Sequence, residues 1–235
     1  MSKIFCAIDT PDLSRAVSLS SSVSEAGCGV KLGLEFFMSH GPSGIQSIRN
    51  ACPDIPVFLD LKFHDIPNTV AGALRAVTRL DVQYLNLHAS GGADMMKAGL
   101  DAVLEESSRL GIVPPKLLAV TVLTSMDQRS LEDVGQDEKV EDQVLRLASL
   151  TKKSGLAGVV CSAKEISVLR ENLGSDFVLM VPGIRPIGSE NLDQKRVMTP
   201  QEAVNAGATH LVIGRPITSA EDPALAAGEI YRSLE

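Results

Sequence analysis

Short apolar runs alternate with longer amphipathic segments along the whole chain. The runs are rich in β-branched and aliphatic residues, as is typical of strands. They predict eight strands, namely Lys3–Ile8, Gly29–Leu32, Val57–Leu61, Tyr84–Leu87, Leu117–Val122, Gly158–Cys161, Phe177–Val181 and His210–Ile213. Between them, apolar residues recur at three- and four-residue spacing, which predicts helices. Examples are Leu13–Val23, Val70–Leu80, Met95–Leu104, Val144–Leu150 and Ala224–Leu234.

Eight strands that are each followed by a helix predict a (β/α)8 TIM barrel. A doubly wound open sheet is the alternative, but eight regular strand–helix units within 235 residues favour closure of the sheet. Neither a shift in composition nor a Pro- or Ser-rich linker divides the sequence. We therefore expect one α/β domain over residues 1–235.

The composition supports an aliphatic core and excludes some classes of partner. Hydrophobic residues make up 44% of the chain and aromatic residues only 3%, and the net charge of −7 argues against general binding to nucleic acid or to a membrane surface. No apolar segment approaches membrane-spanning length, and the N-terminal residues do not resemble a secretory signal. The four scattered cysteines predict reduced, buried thiols. We therefore expect a cytoplasmic protein.

The unusual polar residues stand where the predicted strands end. Barrels of this class build their active sites from the carboxyl ends of the strands and from the loops that follow. The residues at these positions are Asp9, Lys31, Asp60, Lys62, His88, Thr124, Arg185, Gly214 and Arg215. Chance would scatter them along the chain, so their coincidence predicts a functional site at that end of the barrel.

The densest group of charges is the segment Asp60-Leu61-Lys62-Phe63-His64-Asp65. Strand alternation predicts that Asp60 and Lys62 share a face, whereas Pro67 ends the strand and leaves Asp65 in a loop. Grouped charges add little to the stability of a protein, because their desolvation can cost more free energy than their mutual attraction contributes. A lysine among carboxylates is held as an ammonium, which favours proton delivery over Schiff-base formation and suits decarboxylation followed by protonation. A buried ion-pair network that only holds the barrel end together is the alternative.

A glycine stands beside an arginine after each of the last two strands, in Gly183-Ile184-Arg185 and in Gly214-Arg215. Glycine lets backbone N–H groups approach an anion, and arginine offers several donors in a rigid plane. The loops after strands seven and eight are the usual phosphate site of this architecture. These segments therefore predict a phosphate site, with ordinary surface arginines beside turn glycines as the alternative.

The histidines give weaker indications. A packing role for His64 is at least as consistent with its position as a catalytic one, and for His88 a structural role and ligand orientation remain equally open. His40 and His210 carry no functional prediction. The sequence shows no histidine or carboxylate cluster with metal-ligand spacing, and neither a GxGxxG motif nor a P-loop.

Taken together, the motifs resemble the orotidine 5′-phosphate decarboxylase family over nearly the whole chain. The most specific segment is Asp60-Leu61-Lys62-Phe63-His64-Asp65-Ile66-Pro67-Asn68-Thr69. Three further segments are similar to bacterial members, namely Asn86–Gly92, Ala119–Ser125 and Pro182–Pro186. The resemblance implies an enzyme that converts orotidine 5′-phosphate to UMP and CO2 in pyrimidine synthesis, without a metal or cofactor, as a homodimer.

The resemblance also implies a role for individual residues. Lys62 would protonate C6 of the pyrimidine after CO2 leaves, and Asp60 would press on the substrate carboxylate and hold Lys62. Lys31 would bind the ribose and anchor the charge network, with Asp9 on a ribose hydroxyl.

The remaining implied contacts come from loops. The 5′-phosphate would be held by Arg185, Gln194, Gly214 and Arg215, with Gln194 on a closing loop around residues 188–196. The partner subunit's site would receive Asp65, Ile66 and Thr69. Thr124 lies at the base-binding position, whereas the role of Ser125 stays open because this loop varies.

Two other functions compete with this interpretation. A sugar-phosphate lyase such as 3-keto-L-gulonate 6-phosphate decarboxylase shares the Asp-x-Lys-x-x-Asp pattern, but that group uses magnesium and carries a carboxylate where this chain has Lys31. A lysine at that position would repel a divalent cation. A non-catalytic phosphate-binding protein is the second alternative, and the complete charge set of Lys31, Asp60, Lys62 and Asp65 argues against it.

Overall fold

The computed structural model describes residues 2–186 and 198–234. Within these ranges, eight parallel strands pair in the order of the sequence, and the last pairs with the first. The strands are β1 (Ile4–Ile8), β2 (Gly29–Gly33), β3 (Val57–Phe63), β4 (Tyr84–His88), β5 (Lys116–Val120), β6 (Gly158–Val160), β7 (Val178–Pro182) and β8 (His210–Ile213). The closed ring confirms the predicted barrel and rules out the open sheet.

Helices surround the strands. They are α1 (Leu13–Glu25), α2 (Leu34–Ala51), α3 (Pro67–Thr78), α4 (Gly92–Leu110), α5 (Gln128–Asp133), α6 (Val140–Lys153), α7 (Ile166–Leu173), α8 (Pro200–Ala206), α9 (Arg215–Thr218) and α10 (Pro223–Arg232). All five segments given above as predicted helices fall largely within them. In α2 the left-handed Gly41 and the following Pro42 kink the helix. Among the described helices, none combines the length and the apolar character that a membrane span requires.

Apolar side chains pack in two layers, one outside and one inside the barrel, which explains why the strands are continuous hydrophobic runs in the sequence. In β1, the side chains of Ile4, Cys6 and Ile8 pack in the layer between the sheet and the helices. The alternate residues Phe5 and Ala7 belong to a second cluster inside the barrel. Both faces of β1 are therefore lined by apolar side chains, so aliphatic residues are favoured at successive positions.

The amino end of the barrel interior is closed by an aromatic group around His210. The His210 ring meets Phe5 and Tyr84 edge to face, with centroids 5.6 and 5.1 Å apart. Its Nδ1 lies 2.9 Å from the carbonyl oxygen of Ser2 and must donate, so Nε2 accepts the Tyr84 hydroxyl proton at 2.7 Å. Burial lowers the pKa of His210 to about 4, although the Ser2 carbonyl opposes this shift. The imidazole is therefore a neutral structural element.

The barrel should lose stability as His210 is forced to accept a proton. An unfolded histidine has a pKa near 6.5, so between about pH 6.5 and pH 4 the unfolded chain binds a proton that the folded chain does not. Stability is therefore lost as the pH falls through this window. We expect the wild type to lose about 2–3 kcal/mol more unfolding free energy between pH 7.5 and pH 4.5 than His210→Gln loses.

Urea titrations of both proteins at the two pH values, at one protein concentration, measure this difference. Glutamine keeps one donor and one acceptor but does not titrate, so the pair isolates the histidine from other acid-sensitive groups. Parallel losses of stability in the two proteins would contradict the assignment.

Candidate active site

A cavity of about 280 Å³ opens at the carboxyl ends of the strands. It is lined by Ala7, Asp9, Lys31, Phe58, Asp60, Lys62, Val120, Val122, Leu123, Thr124, Val160, Pro182, Gly183, Val212 and Gly214. The structure therefore brings together six of the residues predicted for the site. A larger cavity of about 770 Å³ adjoins it across Leu123, Thr124 and Gly183 and extends towards α5 and α6. The charged group lies in the smaller one.

Four charged side chains, from the residue that follows β1 and from β2 and β3, form one chain of alternating sign. Lys31 Nζ lies 3.0 Å from Asp9 Oδ1 and 3.5 Å from Asp60 Oδ2. Lys62 Nζ lies 2.7 Å from Asp60 Oδ1. The contact between Asp60 and Lys62 confirms that these two residues share a face. Two carboxylates and two ammoniums thus stand in sequence along one wall of the cavity.

Asp60 is the most enclosed member of this chain, with a side chain that is 11% exposed. Burial alone would raise the pKa of its carboxyl group. The ammoniums of Lys31 and Lys62, together with hydrogen bonds from Lys62 and Asn86, outweigh burial and lower the pKa below the ordinary aspartate value. Asp60 is therefore a carboxylate at neutral pH, held against the cavity by fixed positive charges.

Strand β3 is irregular where it carries this group. Leu59 pairs with Leu85 of β4, but the next paired residues are Phe63 and Leu87, so β3 has two extra residues over this stretch. Lys62 sits in the irregularity with φ of +52°, a left-handed conformation that is uncommon for a residue with a Cβ. Lys62 thus reaches Asp60 from a bulged backbone rather than from a regular strand.

Sequence reasoning did not select Asn86 as a site residue, yet it contacts both halves of the Asp60–Lys62 pair. The residue is fully buried on β4. Its Nδ2 donates to Asp60 Oδ1 at 2.7 Å, and its Oδ1 accepts from the backbone N–H of Lys62 at 2.8 Å. A polar amide in the middle of the apolar strand Tyr84–His88 was the signal that could have indicated it.

The absence of a side chain at Gly33 leaves room for the ion pair between Lys31 and Asp9. A Cβ at this position would lie 3.2 Å from Lys31 Nζ and 3.3 Å from Asp9 Oδ1. Both distances are tighter than ordinary contacts, so a larger residue would press on both charged groups. The glycine at the end of β2 therefore belongs to the site although it carries no chemistry.

Asp65, Ile66 and Thr69 lie on the β3–α3 connection and in the first turn of α3, where Pro67 is the first helical residue. All three are exposed, and none of them lines either cavity of this chain. The Asp65 carboxylate accepts the backbone N–H of Ile66 at 2.6 Å. The predicted loop position of Asp65 is confirmed, and its side chain is separate from the cavity that holds Lys62.

The predicted phosphate residues follow β7 and β8. Gly214 lines the cavity, the exposed Arg215 begins the short helix α9, and the partly buried Arg185 donates its backbone N–H to the Met198 carbonyl. Gln194 and the predicted closing loop of residues 188–196 lie outside the described residues. The structure therefore locates the two arginines and the glycine at the carboxyl end of adjacent strands, as predicted.

Two histidines stack beside the charged group. The rings of His64 and His88 are 5.3 Å apart and inclined by 30°. Burial is the main cause that lowers the pKa of His88, and the neighbouring His64 and Lys62 add to it while Asp60 opposes it. Neither ring lines the smaller cavity, which favours a packing role.

Thr124 lines both cavities, whereas Ser125 lines only the larger one. In the part of the chain that is described, no three His, Cys, Asp or Glu residues are grouped to hold a metal ion.

Comparisons with known proteins agree over the whole length of the barrel. The model of the family "Orotidine 5'-phosphate decarboxylase / HUMPS family" matches residues 2–230. Proteins named orotidine 5′-phosphate decarboxylase from Rhodospirillum rubrum and Paramagnetospirillum magneticum are 55% and 51% identical. These matches cover 97% and 98% of this chain and 93% and 97% of the relatives. The crystal structure of orotidine 5′-phosphate decarboxylase from Lactobacillus acidophilus superposes with a TM-score of 0.88 at 34% identity, over 100% of both chains.

The charge network makes a prediction about Asp60 that needs no substrate. In Lys62→Met, a side chain of similar length replaces the ammonium that lies 2.7 Å from the carboxylate. Burial then acts against fewer opposing groups, so the pKa of Asp60 should rise.

A ¹³C NMR titration of the Asp60 carboxyl group measures this change. Arg79→Met is the matched control, because Arg79 pairs with Glu106 between α3 and α4 and should leave Asp60 unaffected. An Asp60 pKa that does not change in Lys62→Met would show that the ion pair does not govern the carboxyl group.

Proposed function

The chain belongs to the orotidine 5′-phosphate decarboxylase / HUMPS family, and on this premise we propose that it converts orotidine 5′-phosphate to UMP and CO2 in pyrimidine synthesis. The observation that carries the proposal is the chain of alternating charges Asp9–Lys31–Asp60–Lys62 on the wall of the cavity. Binding alone does not need an ammonium held against a buried carboxylate. Loss of CO2 followed by protonation of the carbon makes use of both charges.

Lys62 is the proton donor in this mechanism. When the bond from C6 to the carboxylate breaks, its electron pair stays on C6 and CO2 leaves. The Lys62 ammonium transfers a proton to C6, becomes a neutral amine and regains a proton from solvent. Because the ammonium is in place before the bond breaks, it stabilises the developing carbanion without reorganisation. No cofactor is required in this scheme.

Asp60 acts on the substrate carboxylate. Its lowered pKa keeps it ionised, so a substrate carboxylate bound beside it is repelled. The repulsion disappears when neutral CO2 forms, and the interaction therefore favours the transition state over the bound substrate. Asp60 also orients Lys62 through their 2.7 Å contact. Asp60 thus acts on the carboxylate that leaves as CO2, and Lys62 acts on C6, which keeps the electron pair.

The rest of the substrate is held by residues around the cavity. Lys31 and Asp9 bind the ribose, and Thr124 lies beside the base. The proposed phosphate contacts are Arg185, Gln194, Gly214 and Arg215. The short helix α9 after β8 supports this assignment, because barrels often bind phosphate at such a helix and at the loops after strands seven and eight. Binding of the remote phosphate supplies energy that positions the ring.

The active form in this proposal is a homodimer in which Asp65, Ile66 and Thr69 enter the partner's site. Their exposure and their absence from the cavity of their own chain support this arrangement. Ile66 is 66% exposed, and Met38, which follows the adjacent strand β2, is 72% exposed. Large apolar side chains that are exposed to water favour coverage by a second subunit. A cytoplasmic location is part of the proposal, and the four unpaired, buried cysteines support it.

Purified protein in EDTA, with no added cofactor, should decarboxylate orotidine 5′-phosphate, which is measured as loss of its absorbance. Lys62→Ala should lower kcat by at least about 10²–10⁴-fold, because it removes the proton donor. Lys116→Ala is the matched control, since the exposed Lys116 begins β5 at the opposite end of the barrel and should keep wild-type turnover.

Full activity of Lys62→Ala would contradict the mechanism. Turnover of a keto-sugar phosphate with magnesium, and none of orotidine 5′-phosphate, would assign the protein to the sister activity instead. Binding of orotidine 5′-phosphate without turnover of either substrate would indicate a phosphate-binding protein.

A mixture of two inactive variants tests the shared site. Asp60→Ala and Asp65→Ala damage different halves of each site, so a mixed dimer keeps one intact site. After subunit exchange at equal concentration, about a quarter of the wild-type activity should return, since about half of the dimers are mixed and each has one intact site of two. Native mass spectrometry confirms the exchange. If mixed dimers form and no activity returns, Asp65 does not act across the interface.

A further inference from the structure

The amide of Asn86 joins the two residues that the proposed mechanism places at the reacting bond. It donates to Asp60 Oδ1 at 2.7 Å and accepts the backbone N–H of Lys62 at 2.8 Å. Lys62 Nζ closes the cycle with its own 2.7 Å contact to Asp60 Oδ1. Three residues from two strands thus form a ring of hydrogen bonds, and each position in the ring depends on the other two.

The backbone of Lys62 needs this support. The register shift between β3 and β4 interrupts the regular ladder, so a side-chain oxygen, rather than a strand carbonyl, accepts the Lys62 N–H. The residue also holds a left-handed φ of +52°, which persists in proteins only where the surroundings enforce it. The direction in which the Lys62 side chain leaves the strand follows from this conformation. A change at Asn86 would therefore change where the ammonium stands.

We propose that Asn86 is a positioning residue for decarboxylation, which holds the Lys62 backbone in its left-handed conformation and orients the Asp60 carboxylate beside it. The inference rests on the proposed function of the site. Asn86 is fully buried and does not line the cavity, so it acts through Asp60 and Lys62 and does not touch the substrate. Its two roles need one donor and one acceptor in the same plane, which a neutral amide provides.

The same strand offers a matched control for a purely structural role. Tyr84 stands two residues before Asn86 on β4, is fully buried and donates to His210 at 2.7 Å inside the barrel. Tyr84→Phe removes a buried hydrogen bond at the amino end of the barrel, away from the charges. A residue that only stabilises the fold should behave as Tyr84 does, with a lower Tm and unchanged kinetics.

The first test compares Asn86→Leu with Tyr84→Phe and the wild type. Leucine has nearly the same shape as asparagine but neither hydrogen-bonding group. We expect kcat for orotidine 5′-phosphate to fall about 100-fold in Asn86→Leu, the effect of a small misplacement of a reacting group, with KM within about threefold of the wild type. The loss of Tm should be comparable in the two variants. If Asn86→Leu lowers Tm as Tyr84→Phe does and keeps kcat, Asn86 is only structural and the proposal fails.

Asn86→Asp supplies a second readout, which also covers the case in which Asn86→Leu does not fold. Its ionised carboxylate would meet Asp60 and could not donate, whereas its protonated form is shaped like the amide and carries one donor and one acceptor. The charged residues in contact with this position are Asp60 and Lys62, with Lys31 beyond Asp60 and His88 two residues further along β4. Activity relative to the wild type should therefore rise as the pH falls from 8 to 6, whereas Asn86→Leu should show a constant ratio.

A constant ratio for Asn86→Asp would overturn the proposal. Turnover by the wild type tests the proposed function, whereas the Asn86 variants test the positioning role, so each can fail without the other. If the wild type is active and the Asn86 variants keep its kcat, only the positioning role is wrong. If the wild type does not decarboxylate orotidine 5′-phosphate, the function on which this role rests is wrong.

Discussion

Burial of the Asp60 carboxylate between two lysine ammoniums is the interaction on which the site depends. Removal of a charge from water costs several kcal/mol, and here Lys31, Lys62 and the Asn86 amide offset this cost. The partners come from successive strands, because β2, β3 and β4 are neighbours in the barrel and their carboxyl ends meet at one edge. The charges therefore form one connected chain, and loss of any partner leaves the carboxylate less well compensated.

The two ends of the barrel interior bury polar groups in different ways, as neutral groups at the amino end and as charged groups at the carboxyl end. At the amino end, Tyr84 and His210 satisfy each other as neutral groups among aromatic rings, which suits a site whose task is stability. At the carboxyl end, Asp60 stays ionised and the backbone of Lys62 is held in an unfavourable conformation. Strand β4 serves both ends, with Tyr84 in the neutral network and Asn86 in the charged one. The neutral pair and the charge network thus lie at opposite ends of the same strand.

The connection after β3 divides neighbouring charges between two places. Lys62 and Asp65 are three residues apart, yet Lys62 lines the cavity and Asp65 is exposed on the loop before α3. The bulge in β3 and the start of α3 at Pro67 turn the chain between them. Because one continuous motif places Lys62 in the cavity and Asp65 on the exposed surface, the proposed function includes a partner subunit whose site Asp65 reaches.

Local pattern in the sequence was sufficient for the strands, the closed barrel and the position of the charged residues at strand ends. Each of these depends on hydrophobic periodicity and on the rule that neighbouring parallel strands end at the same edge, both of which can be read without knowledge of contacts. Strand alternation also predicted that Asp60 and Lys62 lie together, although the structure brings Lys62 to Asp60 through the bulge in β3. Tertiary structure alone decided the register shift in β3, the left-handed Lys62, the two hydrogen bonds of Asn86 and the partners of His210. These features arise from the pairing of residues that are distant in sequence, and periodicity within one segment carries no information about which atoms of another segment will face it.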